Sequence, residues 1–209
     1  MANTSKISGF RPSSSAVGGS MQGQGHIYAV LASDATALFV GDPVKLDGAG
    51  HTNGVASVTK ATQGAAVLGV VVGVLPAKMD PVSGSMTAGA IILDTPVYRP
   101  ASTFQYVLVN DDPAQLYEVE AVTGANASYS FAVADIGLNA DLSTVAGSTT
   151  TGASAAALDM ATKAATATLQ WKILGSVNRV DNEPTGAATK VLVKINNATL
   201  GGGTGATGV

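Results

Sequence analysis

The chain has 209 residues, of which 46% are hydrophobic, 5% aromatic and 12% charged, with 25 glycines, no cysteine and a net charge of −3. Charged residues stand at half of the about 25% usual in soluble domains, while the apolar fraction is ample for a core. Without cysteine there are no disulfides, thiolate metal sites or cysteine nucleophiles, and the slight negative charge offers no cationic field to hold a nucleic acid.

Taken in chain order, residues 1–25 read as an extended polar arm. Ser13, Ser14, Ser15, Gly18, Gly19, Gly23 and Gly25 have nothing to bury. Phe10, flanked by Arg11 and Pro12, is its one anchor-like group. The stretch MANTSKISGFRPSSS lacks the apolar segment of a secretory signal, so the expectation is a soluble protein that stays in the compartment where it is made.

A β-rich body is expected over 26–200. The short β-branched or aromatic runs 27–31, 43–47, 55–59, 67–75, 104–109, 116–122, 169–174 and 191–195 read as strands. Gly48–Gly54 closes a hairpin between the second and third. In 67–75 the apolar residues do not alternate, which predicts burial on both faces. The apolar run from Ala65 to Leu75 spans 11 residues, far short of the about 20 that cross a bilayer as a helix. Three later runs do alternate with period two. Tyr117, Val119 and Ala121 oppose Glu118 and Glu120; Leu169, Trp171 and Ile173 oppose Gln170 and Lys172; Val191, Val193 and Ile195 oppose Leu192 and Lys194.

One short helix is expected around Ala153–Thr162, where Ala155, Ala156, Ala157 and Leu158 have good propensity. The turns Asp42-Pro43, Asp80-Pro81, Asp112-Pro113 and Glu183-Pro184 interrupt regular structure. A division into two subdomains near 123–168 stays open, and 201–209 reads as a flexible Gly-rich tail. The fold class is mainly β, an antiparallel sandwich or small barrel with long loops. Residues 80–159 carry nine acids against the single base Arg99, a net of −8, whereas the remainder carries a net of +5. Pairing of strands across the two regions would neutralise most of that asymmetry within one chain.

Candidate chemistry is sparse. A Ser–His–Asp triad would have to use His26 or His51, and no G-x-S-x-G elbow accompanies either. Two separated histidines without cysteine do not make a zinc set. Gly203–Gly208 matches G-x-G-x-x-G, but no helix follows to receive a pyrophosphate. Asp135, Asn139 and Asp141 lie close enough in sequence for calcium yet lack the remaining EF-hand positions, so a self-bonded turn is the simpler reading. Asp111 and Asp112 are adjacent in a turn rather than set across a cleft. Asn126-Ala-Ser128 and Asn197-Ala-Thr199 match the glycosylation pattern, which has no consequence without secretion. Trp171 alternates with Leu169 and Ile173 and reads as core. No catalytic residue, metal or cofactor is therefore assigned.

The segments Ala37–Leu46 (ALFVGDPVKL), Ala66–Gly73 (AVLGVVVG), Tyr98–Ser102 (YRPAS), Gln105–Pro113 (QYVLVNDDP) and Ile173–Glu183 (ILGSVNRVDNE) resemble those of tailed-bacteriophage capsid decoration proteins, also called cement or head-stabilising proteins. The resemblance runs in pieces along most of the chain, and none of the pieces is a catalytic signature. It implies a β-rich, non-enzymatic virion protein made in the bacterial cytoplasm. Such a protein binds the outer surface of the mature capsid as a homotrimer or dimer and ties neighbouring major capsid proteins together, with neither nucleic acid nor membrane as partner. Phe10, Arg11 and Pro12 are then the candidate capsid-contact residues of an arm that clasps a neighbour. The alternative is a receptor- or glycan-binding virion surface protein, which would need an exposed aromatic platform.

Overall fold

Period-two patterning sets the architecture, because each alternating run must bury one face against the others. A computed structural model describes residues 3–18, 25–52, 54–75, 77–79, 86–91, 96–200 and 208, with the side chains of 77–79 and 86–91 excepted. All but one residue of the expected tail, and with it most of the G-x-G-x-x-G match, lies outside the described residues. The strands in chain order are β1 (Arg11–Ser15), β2 (His26–Val30), β3 (Pro43–Gly50), β4 (Ala56–Lys60), β5 (Gly69–Val74), β6 (Ala77–Met79), β7 (Met86–Ile91), β8 (Gln105–Asn110), β9 (Gln115–Thr123), β10 (Ala127–Ser128), β11 (Ser130–Phe131), β12 (Asn139–Ser143), β13 (Ala157–Ala164), β14 (Trp171–Ser176), β15 (Gly186–Ala187) and β16 (Lys190–Ile195). The chain is mainly β, with sheets in sandwich-like and small-barrel arrangements.

The first barrel is a closed ring in the order β2-β4-β3-β5-β8. Its interior is Val30, Leu38, Val44, Val58, Leu68, Val71, Val107 and Val109. A second ring follows from the pairings β9-β13, β13-β12, β12-β14, β14-β16 and β16-β9, which return to their starting strand. Its interior is built on Trp171, Tyr117, Phe131, Leu142, Leu158, Met160 and Ile173. The two rings are joined through the turn at 111–114, earlier than the 123–168 stretch considered from sequence. That stretch instead holds β10 to β13 of the second ring, and its residues 146–154 reach back to the first.

Strand by strand, the rings are copies of one topology. In each, the first and third strands pair in parallel (β2 with β4, β9 with β13) and every other pairing is antiparallel. In each, the register of the fourth strand on the fifth slips at the same step, between Val71 and Gly73 in β5 and between Ile173 and Gly175 in β14. In each, a left-handed glycine two residues ahead of the second strand turns the chain into it, Gly41 at φ 95° and Gly137 at φ 91°. The chain is thus an internal repeat of one five-stranded barrel.

Two sequence expectations are corrected. Ala153–Thr162 is not helical; it is a loop running into β13, and the one helical turn among the described residues is the 3-10 segment Val133–Asp135. Helix propensity differs by only a few tenths of a kcal/mol per residue, whereas β12 and β9 bond both edges of β13 and bury Leu158 and Met160. The described part of the arm does not stand free either. Its β1 pairs antiparallel with β9, and Phe10, 1% exposed, lies in the second barrel's core. Its ring stacks on Trp171 with centroids 4.1 Å apart. The physical reason is that burying the Phe10 ring against Trp171 removes apolar surface from water and offsets the cost of ordering this polar segment.

Candidate functional site

Two buried polar side chains, Gln170 and Asp42, join the barrels. Gln170, fully buried, donates from Nε2 to the carbonyls of Thr62 (2.9 Å) and Ala65 (2.8 Å) of the first barrel. Its Oε1 accepts the Leu142 N–H at 3.0 Å, so the amide is satisfied on both ends. Asp42, also fully buried, accepts the Phe39 N–H at 2.9 Å and the Ser154 hydroxyl, and pairs with Lys60 at 3.1 Å. Ser154 belongs to the loop that the second barrel sends over the first. Each buried polar group thus has its partner across the junction, which makes separation costly.

Arg99, the single base of the acidic stretch, is fully buried. Its guanidinium donates to the carbonyls of Thr103 (2.7 Å), Thr36 (2.6 Å) and Leu31 (2.6 Å), clamping three loop strands. Burial pulls its pKa below the ordinary value, against the opposing field of Asp34. It is a fold-forming residue rather than a surface charge.

The two histidines are used separately. His26 Nδ1 lies 2.8 and 3.0 Å from the two carboxylate oxygens of Asp111, which also accepts the Tyr28 hydroxyl at 2.7 Å. Burial, then that hydrogen bond, pushes the Tyr28 phenol up. His51 packs its ring on Phe104, with centroids 4.6 Å apart. Asp135, Asn139 and Asp141 do not converge on one point. Asp135 accepts from Lys163 (2.6 Å), Tyr129 (2.9 Å) and the Ala132 N–H (2.9 Å); Asn139 donates to Thr166 O; Asp141 accepts the Gln170 N–H at 3.1 Å. Burial alone would raise the Asp135 carboxyl, and those three hydrogen bonds outweigh it and hold the group below its usual range. Asp112 accepts the Ala114 N–H of its own turn. Among the described residues, no group of three or more His, Asp or Glu side chains is placed to hold a metal ion. Trp171 is core, as its alternation predicts.

Of the three arm residues, only Arg11 is exposed; Pro12 is half-buried and Phe10 is internal. They line one side of an open groove of about 450 Å³ whose other side is Val40, Val72 and Val97. Val97 is 56% and Val40 37% exposed, so the groove is an apolar strip with one cation at its rim. A second groove, of about 880 Å³, lies between β3–β4 and residues 144–149, with Lys45, Lys60, Phe39 and Gln63 in its wall.

One surface escaped the sequence reading. On the outer side of the second barrel, Lys172 of β14 stands directly opposite Lys194 of β16, and both are half-buried. Leu174, 41% exposed, and Leu192 lie beside them on the same two strands. Alternation alone already put both lysines on outward faces. What it did not reveal is that β14 and β16 are neighbours in this register.

No family model matches the chain, and no curated protein or solved structure does either.

Proposed function

We propose that this is a virion structural protein without catalytic activity, binding the outer surface of a mature phage capsid and bridging neighbouring major capsid proteins. The observation that carries the reading is the rigid coupling of two copies of one barrel through Gln170, bonded to the Thr62 and Ala65 carbonyls, and through Asp42, bonded to Ser154. A bridge between repeating subunits must transmit force without flexing at its middle, and a satisfied buried polar junction does that. The segments that resemble decoration proteins support the reading as well. They map onto the loop entering β3, onto β5 and β8, onto the Arg99 clamp, and onto β14 with the loop after it.

Arg11 and Pro12 remain the contact residues of this proposal, on the groove wall facing Val97. Phe10 supports them from inside. A subunit that binds only the expanded lattice stabilises it by mass action, about 2.7 kcal/mol per site at a hundredfold excess over Kd. The test is to add the purified protein to expanded heads that lack it and to image the particles. Regular density at capsomer junctions with raised heat resistance is expected; density at the tail tip, or none, refutes the proposal.

A further inference from the structure

The contact between the barrels is built over a pair of buried acids. Asp141 of β12 and Asp159 of β13 are partners in register and are 6% and 7% exposed. The next pair in register, Leu142 and Leu158, belongs to the core, so both carboxylates lie on the outer face of the second barrel. That face meets residues 62–65 of the first barrel. Gln63 Nε2 lies 3.5 Å from Asp159 Oδ2. Gln170 donates its main-chain N–H to Asp141 at 3.1 Å and its side-chain amide to the Thr62 and Ala65 carbonyls. The acid pair and the loop above it are thus held by the same side chains. An open cavity of about 260 Å³, lined by Gln63, Ser143 and Asp159 among others, brings solvent to the edge of the pair.

We propose that this pair makes the junction between the barrels pH-sensitive: the loop 62–65 is seated while Asp141 holds a proton, and lifts more readily once both carboxylates are ionised. Two like charges directly opposite on neighbouring strands destabilise a sheet, and burial penalises each of them further. Lifting the loop admits water to both, so ionisation favours the open junction and protonation the closed one. The surroundings agree with this direction. Burial, and less strongly Asp159, raise the Asp141 carboxyl above its ordinary value, while the Gln170 N–H opposes them. The charged groups on the elements packed around Asp141 are Asp159 on β13, Lys172 on β14, and Lys163 on β13, which pairs with Asp135 at 2.6 Å. On β9 there is Glu120, held by Ser5 and Lys6. Residues 61–66 bring no titratable side chain, and Lys60 before them pairs with Asp42. A raised acid stabilises the closed form below its ordinary value, and that stabilisation is lost as pH rises through the folded value. Such a contact couples the barrels more stiffly in acid, whichever partner they bridge.

Hydrogen exchange of the full chain in low urea tests this, with rates expressed as protection factors to remove the intrinsic pH dependence of exchange. The reporter is the Leu142 N–H, whose acceptor is the uncharged Gln170 Oε1. The reference is the Ile173 N–H, bonded to Leu138 O within the second barrel. Leu142 should exchange ahead of Ile173, through a small opening that urea barely promotes. From about pH 4 to about pH 7 its protection should fall about two- to fivefold, the worth of one like-charge pair across a sheet. Asp141→Asn and Asp159→Asn should each flatten that dependence, whereas Asp135→Asn should keep it. A flat wild-type profile, a dependence that persists in either junction variant, or its loss in Asp135→Asn refutes the proposal. Exchange of Leu142 with the same rate and urea dependence as Ile173 also refutes it, because the pair then acts on the whole fold and not on the junction. If Asp141→Asn does not fold, Asp159→Asn decides alone.

Discussion

Replacing Phe10 by alanine tests whether the N-terminal segment is an integral part of the second barrel. The side chain is 1% exposed and lies 4.1 Å from the Trp171 ring at an interplanar angle of 22°. Truncating a buried phenylalanine costs about 3–5 kcal/mol in lost transfer energy and residual cavity, and the stacked pair adds to this roughly 0.5–1.5 kcal/mol beyond area. Two polar contacts outside the cavity persist: Glu120 accepts from the Ser5 hydroxyl at 2.6 Å and from the Lys6 N–H at 2.8 Å. The net loss should therefore fall near the lower end, about 3 kcal/mol, a large share of the roughly 5–15 kcal/mol of a typical domain. Trp171 is the only tryptophan, so urea unfolding followed by its fluorescence reads this barrel directly. Phe10→Ala should lower the midpoint and shift native emission to the red, whereas Arg11→Ala, at an exposed position, should change stability by less than about 0.5 kcal/mol. A loss under about 1 kcal/mol with unchanged emission would mean that the segment is not docked on its own chain. Deleting residues 2–20 would take Phe10 and β1 away from the second barrel. Lost capsid binding by that variant would report a damaged barrel, not a lost clasp.

Three further outcomes follow from named contacts. Gly69→Ala should destabilise by about 1–3 kcal/mol or prevent folding, because a Cβ there would lie 2.1 Å from the Asn110 carbonyl oxygen, a main-chain atom with no rotamer to yield; thermal unfolding measures it, and an unchanged Tm would contradict the close approach of β5 to β8. Gln170→Leu should cost about 2–4 kcal/mol by stranding the Thr62 and Ala65 carbonyls and the Leu142 N–H, and hydrogen exchange should then show the two barrels opening separately. Asp141 is raised above its ordinary value by burial and by Asp159 opposite it, against the Gln170 N–H. Its ionised form is thus disfavoured by folding, and stability falls as pH rises through its folded pKa. Asp141→Asn should accordingly be more stable than the wild type at neutral pH and lose that advantage on acidification, as paired denaturant titrations would show.

What the sequence made legible is governed by where the apolar pattern lies. The strands around Tyr117, Trp171 and Val191 declare themselves because their apolar residues alternate; burial follows the alternation in β14 and β16, whereas β9 is buried on both faces, Glu120 included. Both β12 (NADLS) and β1 (RPSSS) were missed because their letters are polar. Yet Asn139, Asp141 and Ser143 are all buried, and their polarity is met by Thr166 O, the Gln170 N–H and Gly124 O, partners distant in sequence. Such a strand is recognisable only from what it pairs with. The repeat was hidden for a related reason. Equivalent residues are 96 positions apart at Gly41 and Gly137, 102 at Gly73 and Gly175, and 84 at Val109 and Val193. Unequal loops erase any fixed period, so no self-alignment at one spacing would reveal it.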